Sequence, residues 1–139
     1  MICYAVIDTN VLVSALLSNH PDSATVLLVG RMISGDLIPV YSTDTMNEYR
    51  EVLQRKKFNF DQSRISYLLS AITHFGILVE PSATGEVLPD MKDLPFYEVV
   101  VEKRKTDETY LVTGNQKHFP IRPFIVTAKE MLDILDSAM

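Results

Sequence analysis

Cys3-Tyr4-Ala5-Val6-Ile7-Asp8-Thr9-Asn10 begins as an unbroken apolar run and stops on a carboxylate, a hydroxyl and an amide. An apolar run without alternation predicts a strand buried on both faces, as in a parallel sheet covered by helices. Working outward, Val11 to Leu17 reads as a short helix closed by Ser18, Asn19 and Pro21. Ser23 to Ser34 has helical spacing in Val26, Leu27, Val29 and Ile33, and Gly35 supplies a left-handed stop. Leu37 to Tyr41 is a second strand that carries Pro39, a residue at odds with an interior strand. Thr45 to Lys57 is helical, with Met46, Tyr49, Val52 and Leu53 on one face. Asp61 caps the next helix, whose Ile65, Leu68, Leu69, Ile72 and Phe75 recur at helical spacing up to Gly76. Ile77 to Val79 forms a third strand and Pro81 to Pro89 a loop.

Pro95 suits the first turn of a helix that follows Asp93 and runs to Lys103. Tyr110 to Val112 and Phe124 to Val126 are further strands. Thr127 and Glu130 form a capping box for a last helix bearing Met131, Leu132, Ile134 and Leu135. Strands alternating with helices predict an α/β fold with a mainly parallel sheet of about five strands. With 139 residues, no repeat and no linker, the chain reads as one domain, residues 1–139.

Composition narrows the classes. The chain is 47% hydrophobic and 22% charged, enough apolar area to form a core. No apolar run reaches the roughly 18 residues that cross a bilayer, and the first run is too short for a signal peptide. Cys3 is the one cysteine, so an internal disulfide and a multi-cysteine zinc site are both excluded, and a cytoplasmic location is the default. Cys3 itself falls within an apolar strand and belongs to the core, while His20 and His74 lie apart and give zinc no support. A net charge of −5 and a pI near 5.1 argue against a passive, charge-driven nucleic-acid binder. A nuclease that carries its positive charge as bound metal stays open.

Ligands of open α/β sheets bind beyond the carboxyl ends of the strands. Asp8, Thr9 and Asn10 follow the first strand, Glu48 lies a turn into the helix after the second, and Thr113, Gly114 and Asn115 follow the fourth. Asp90 and Asp93 precede the helix leading into that strand. Carboxylates and an amide on one edge suit Mg2+ or Mn2+. Each residue also has a plainer reading: Asp8 and Asp93 as helix caps, Glu48 as the capping-box partner of Thr45, and Asn115 as a left-handed turn residue after glycine. Basic residues cluster at Arg50, Arg55, Lys56, Lys57 and Arg64, and again at Lys103 to Lys105, with Lys117 and His118 beside the acids. The first cluster is suited either to tracking an RNA backbone or to a solvated helix end.

The segments Val-Ile-Asp-Thr-Asn-Val-Leu-Val-Ser-Ala (6–15), Ser-Thr-Asp-Thr-Met-Asn-Glu-Tyr-Arg-Glu-Val-Leu-Gln-Arg-Lys-Lys-Phe (42–58), Pro-Asp-Met-Lys-Asp-Leu-Pro-Phe (89–96) and Tyr-Leu-Val-Thr-Gly-Asn-Gln-Lys-His-Phe-Pro (110–120) resemble, in order and spacing, the PIN-domain ribonucleases. Together they are similar to the branch usually described as toxins of toxin–antitoxin pairs. The resemblance implies a doubly wound α/β/α sandwich and a metal-dependent site for RNA hydrolysis, with Mg2+ or Mn2+ as cofactor. It matches the family's first three acids to Asp8, Glu48 and Asp93. The fourth acid is replaced by Asn115, which would ligate through its carbonyl or position a water. Thr9, Asn10, Asp90 and Thr113 become supporting residues, and Arg50, Arg55, Lys56, Lys117 and His118 candidate RNA contacts. RNA, an antitoxin protein and a second copy of the chain are the implied partners. The stripe from Ile65 to Phe75 serves either the core or such a dimer. Two other functions compete: a catalytically weakened PIN domain that binds RNA or protein, and a phosphoryl-transfer domain using Asp8 as phosphoacceptor.

Overall fold

The computed structural model describes residues 2–137. Strands β1 (Cys3–Ile7), β2 (Leu37–Tyr41), β3 (Ile77–Leu78), β4 (Thr109–Val112) and β5 (Ile125–Val126) form a parallel sheet in the order β3-β2-β1-β4-β5. The helices are α1 (Thr9–Leu17), α2 (Ala24–Ser34), α3 (Thr43–Leu53), α4 (Gln62–Phe75), α5 (Leu94–Lys103) and α6 (Ala128–Ser137). Short 3-10 turns cover Met91–Asp93 and Gln116–His118.

The apolar opening run becomes the central strand, with Cys3 opposite Leu37 on one side and Ile7 opposite Val112 on the other. The chain leaves β1 toward β2 and β3, then passes back across β1 to β4. Right-handed crossovers in opposite directions place their helices on opposite faces of the sheet. Accordingly α2 packs on β2 and meets α1, α4 and α6, whereas α5 packs across β1, β2 and β4. The result is the expected three-layer α/β/α sandwich. Ala5, Val6, Phe96, Val99 and Leu111 are fully buried between the layers.

Local signals account for most boundaries. Asp61 accepts the amide of Ser63 at the start of α4, and Thr127 and Glu130 exchange their capping-box hydrogen bonds. Gly35 closes α2 at φ 94°. The stripe on α4 turns to the core, with Ile65, Leu68 and Ile72 buried and Phe75 exposed. Pro39 lies within an interior strand, as the reading of Leu37 to Tyr41 has it. Pairing of β2 with β3 begins only at Val40, so no β3 partner meets the missing amide.

Helix α3 departs from the expected 45–57. It starts at Thr43 because Ser42 and Thr45 form a reciprocal capping box, and it ends at Leu53. Residues beyond it form successive turns, Phe58 to Arg55 and Asn59 to Lys56, and Asn59 takes φ 51°. The left-handed residue reverses the chain. The loop after β3 is anchored to α5, with Thr84 donating twice to Glu98 and the Ser82 amide donating to Glu102.

Gly76 ends α4 for a reason of space. A Cβ there would collide with the carbonyl of Ile72 and stand 2.6 Å from that of Pro39. Both obstacles are backbone, so α4 would have to shift off β2. Gly76→Ala is therefore expected to cost about 2 kcal/mol or more in chemical denaturation. A wild-type midpoint would mean that the helix end and β2 are not in contact.

Candidate active site

Asp8 follows the last residue of the central strand, and its amide still bonds the carbonyl of Val112 at 2.9 Å. The strand order reverses direction at β1 and β4, and such switch points open a crevice at the strand carboxyl ends. Asp8 is 4% exposed and occupies the N-cap position of α1, yet its side chain makes no capping hydrogen bond. Instead its Oδ2 accepts from Thr113 Oγ1 at 2.8 Å and from Asn10 Nδ2 at 3.2 Å. The Asn10 carbonyl oxygen accepts the Gly114 amide at 3.1 Å, and Thr113 Oγ1 accepts the Asn115 amide at 3.0 Å. Asn10 and Thr113 thus tie the ends of β1 and β4 together around one carboxylate.

Glu48 lies in the middle of α3, and its Oε2 accepts from Thr9 Oγ1 at 2.5 Å. The capping box of α3 belongs to Ser42 and Thr45, so Glu48 is not needed there. Asp93 precedes α5 without capping it. Its Oδ2 is buried and, among the described residues, without a hydrogen bond. His118 Nδ1 approaches that oxygen at 3.2 Å, an ion-pair distance without hydrogen-bond alignment. Asp90 does act as a cap, accepting the Lys92 amide, and it is exposed.

The three uncapping acids share one field. Burial raises the Asp8 carboxyl to about 6, with the charges of Asp93 and Glu48 adding to the rise and the Thr113 hydrogen bond opposing it. Burial also raises Glu48, helped by Asp93 and opposed by the Thr9 hydrogen bond and the charge of Arg55. Asp93 is raised by burial and by the charge of Asp90, with His118 opposing. Like charges drawn together under partial burial favour a proton or a cation. Among the described residues no three His, Cys, Asp or Glu side chains close into a ready metal cage. Mg2+ does not require one, since it commonly uses one or two carboxylates and fills its remaining positions with water or phosphate. The orphaned Asp93 oxygen and the all-oxygen donor set fit such an ion.

Other residues fall further out. Asn115 is exposed, its side chain caps nothing, and its φ of −130° is not the left-handed turn expected after glycine. It borders a cleft of about 410 Å3 with Asn10, Thr113 and Gly114. Lys117 and His118 are exposed in the turn that follows. Arg50 and Lys56 are exposed, and Arg55 pairs with Glu51 at 2.9 Å. Tyr49 was legible only as a core residue. Its buried hydroxyl donates to the Ile7 carbonyl at 2.5 Å and so fixes α3, with Glu48, against the end of β1. A tyrosine rather than phenylalanine next to the acid was the available signal, because a buried phenol needs an acceptor.

The raised Asp8 carboxyl sets a pH dependence for the metal-free protein. Its folded value exceeds the unfolded 3.8, so the folded chain binds the proton more tightly. That contribution to stability is present at low pH and is lost as pH rises from about 4 through about 6, up to about 3 kcal/mol. Relative to Asp8→Asn, the wild type in chelator should lose stability over that window in urea titrations. Parallel curves for the two proteins would show Asp8 to be solvated as in the unfolded chain.

A family model described as a PIN domain matches residues 4–117. That span includes all three acids, Asn115 and Lys117, and stops one residue short of His118. No curated protein and no solved structure gives a match. PIN domains are generally nucleases that use divalent metals, and among the described residues no helix is long and apolar enough to cross a membrane. By its matched span and its α/β/α sandwich, the chain belongs to the PIN-domain family.

Proposed function

We propose that this PIN domain is a cytoplasmic endoribonuclease dependent on Mg2+ or Mn2+, the toxin of a toxin–antitoxin pair. The observation that carries the reading is the gathering of Asp8, Glu48 and Asp93 in one field at the sheet's switch point, none of them used as a helix cap. The charge of Asp93 reaches both Asp8 and Glu48, although the three come from separate elements of the chain.

In this reading Asp8 is the central ligand, and Glu48 and Asp93 hold the ion directly or through water. A bound divalent ion lowers the pKa of water and neutralises charge on the phosphate. Thr9, Asn10 and Thr113 spend their hydrogen bonds on the acids, so they orient the carboxylates rather than the phosphate. Tyr49 holds Glu48's helix in register. Arg50, Arg55, Lys56, Lys117 and His118 supply positive charge along the approach of the RNA, which an acidic chain otherwise lacks. An antitoxin and a second copy of the chain belong to the same proposal. Support for a docked partner is the apolar cavity of about 470 Å3 between α1, α2 and α4, bordered by the exposed Tyr67.

Asp8→Asn is expected to abolish metal-dependent RNA cleavage while keeping the fold. Manganese should raise the melting temperature of the wild type, because it binds the native state, and Glu48→Ala or Asp93→Ala should blunt the rise. Undiminished cleavage by Asp8→Asn, or a transition that no divalent ion moves, would sink the assignment.

One observation favours a second reading, a PIN domain that binds RNA or protein without cutting: exposed Asn115 stands where the family's fourth acid is expected. Asn115→Asp adds a charge beside Asp8 and Asp93, and it should tighten metal binding and raise cleavage at limiting metal. Screening at this exposed position keeps the effect to about 1 kcal/mol. Identical metal titrations for variant and wild type would remove Asn115 from the site.

A further inference from the structure

The turn between α3 and α4 departs from the rest of the molecule in charge and in packing. Residues 50–64 hold five cations, Arg50, Arg55, Lys56, Lys57 and Arg64, against two acids, Glu51 and Asp61, in a chain whose net charge is −5. Within this basic segment the rings of Phe58 and Phe60 lie parallel, 8° apart in tilt with centroids at 5.2 Å. Phe60 packs on the hydrophobic core, but Phe58 does not and is held by its neighbour. The ammonium of Lys57 stands over the Phe58 ring, 5.1 Å from its centroid. Asn59 between the two rings takes φ 51°, the reversal that lets residues two apart turn their faces together.

Sealing the turn accounts for the apolar pair and for Lys57 over its ring, but not for the remaining cations of the segment. Interleaved aromatic rings and cations are instead the two components of a single-strand binding surface, rings for bases and cations for phosphates. The segment also continues the helix that carries Glu48. The charge of Arg55 acts on the Glu48 carboxyl, and α3 brings the turn within about two helical turns of Glu48. Arg64 donates to the carbonyl of Leu16, which ties the start of α4 to the end of α1 that lies away from Asp8.

We propose that Phe58, backed by Phe60 and flanked by Lys56 and Lys57, is a base-stacking subsite for an unpaired nucleotide of single-stranded RNA, just beyond the helix that carries Glu48. The proposal rests on the ribonuclease reading and names its substrate class. An incoming base takes the outer face of Phe58, and the Lys57 ammonium moves from that face to the phosphate of the same nucleotide. A duplex cannot use the subsite, because its bases are already stacked within the helix.

The test uses fluorescence anisotropy of a labelled single-stranded RNA oligonucleotide with the full chain in magnesium, read before cleavage proceeds, with cleavage of the same samples followed on gels. Phe58→Leu keeps apolar volume but loses the ring, and it should weaken binding roughly 5- to 100-fold. Phe58→Tyr should bind as the wild type does. Phe75→Leu, an exposed aromatic at the other end of α4, should change nothing. A series of oligonucleotides with one abasic position should contain a member whose affinity is the same for wild type and Phe58→Leu, because base and ring are then removed together. Thermal melts establish that each variant is folded. If the wild type binds and Phe58→Leu binds equally well, or if Phe58→Leu loses affinity for duplex RNA just as steeply, the stacking subsite is overturned while the ribonuclease reading stands. A wild type that neither binds nor cuts RNA overturns both.

Discussion

A carboxylate buried at the end of the central strand has to be hydrogen-bonded or neutralised, and that requirement organises the crevice of this protein. Asp8 receives hydroxyl and amide donors from Thr113 and Asn10, and the Asn10 carbonyl in turn accepts the Gly114 amide. The contacts of Thr113 with Asp8 and of Gly114 with Asn10 join residues 105 and 104 positions apart in sequence. They extend the β1–β4 pairing beyond its last ladder residue and hold the two strand ends at a fixed separation. The hydrogen bonds offset only part of the burial, since the carboxyl remains raised. A deficit of positive charge at a switch point is the physical property on which the nuclease chemistry of the family draws.

The second acid is positioned by a different device. Tyr49 anchors α3 to the Ile7 carbonyl from inside the core, while Thr9 meets Glu48 from the first turn of α1. Adjacent residues on one helix therefore face the core and the crevice, and both reach the end of β1. The third acid comes from the entry to α5, a helix that packs on α3 through Phe96 and Tyr49, and meets His118 from the turn after β4. The central strand, α3 and the entry to α5 thus contribute to one site.

The sequence was informative wherever a local rule applied. The apolar run at Cys3–Ile7, the caps at Asp61 and Thr127, the left-handed Gly35 and the span of β2 all followed from residue type and spacing. The end of α3 did not, and the fit of Pro39 inside β2 was not explained by them. A proline is acceptable inside a sheet when the neighbouring strand starts one residue later, and this depends on β3. The basic run at Arg55 to Lys57 reads as helical by propensity, but the turn made by Asn59 takes it out of the helix. The candidate site was legible as a set of polar residues after strands. Which of those acids were caps was not legible, because a cap and a ligand occupy the same position in sequence.

By itself the sequence determined the alternation of strands and helices and the apolar faces, because periodicity and capping are properties of neighbours along the chain. The tertiary structure decided that Asp90 caps a turn while Asp8, Glu48 and Asp93 cap nothing, that Thr9, Asn10 and Thr113 serve the acids, and that Phe58 stacks on Phe60 away from the core. Each of those outcomes depends on which side-chain atoms share a small volume. Burial and mutual charge exist only once the sheet has brought distant segments to one edge.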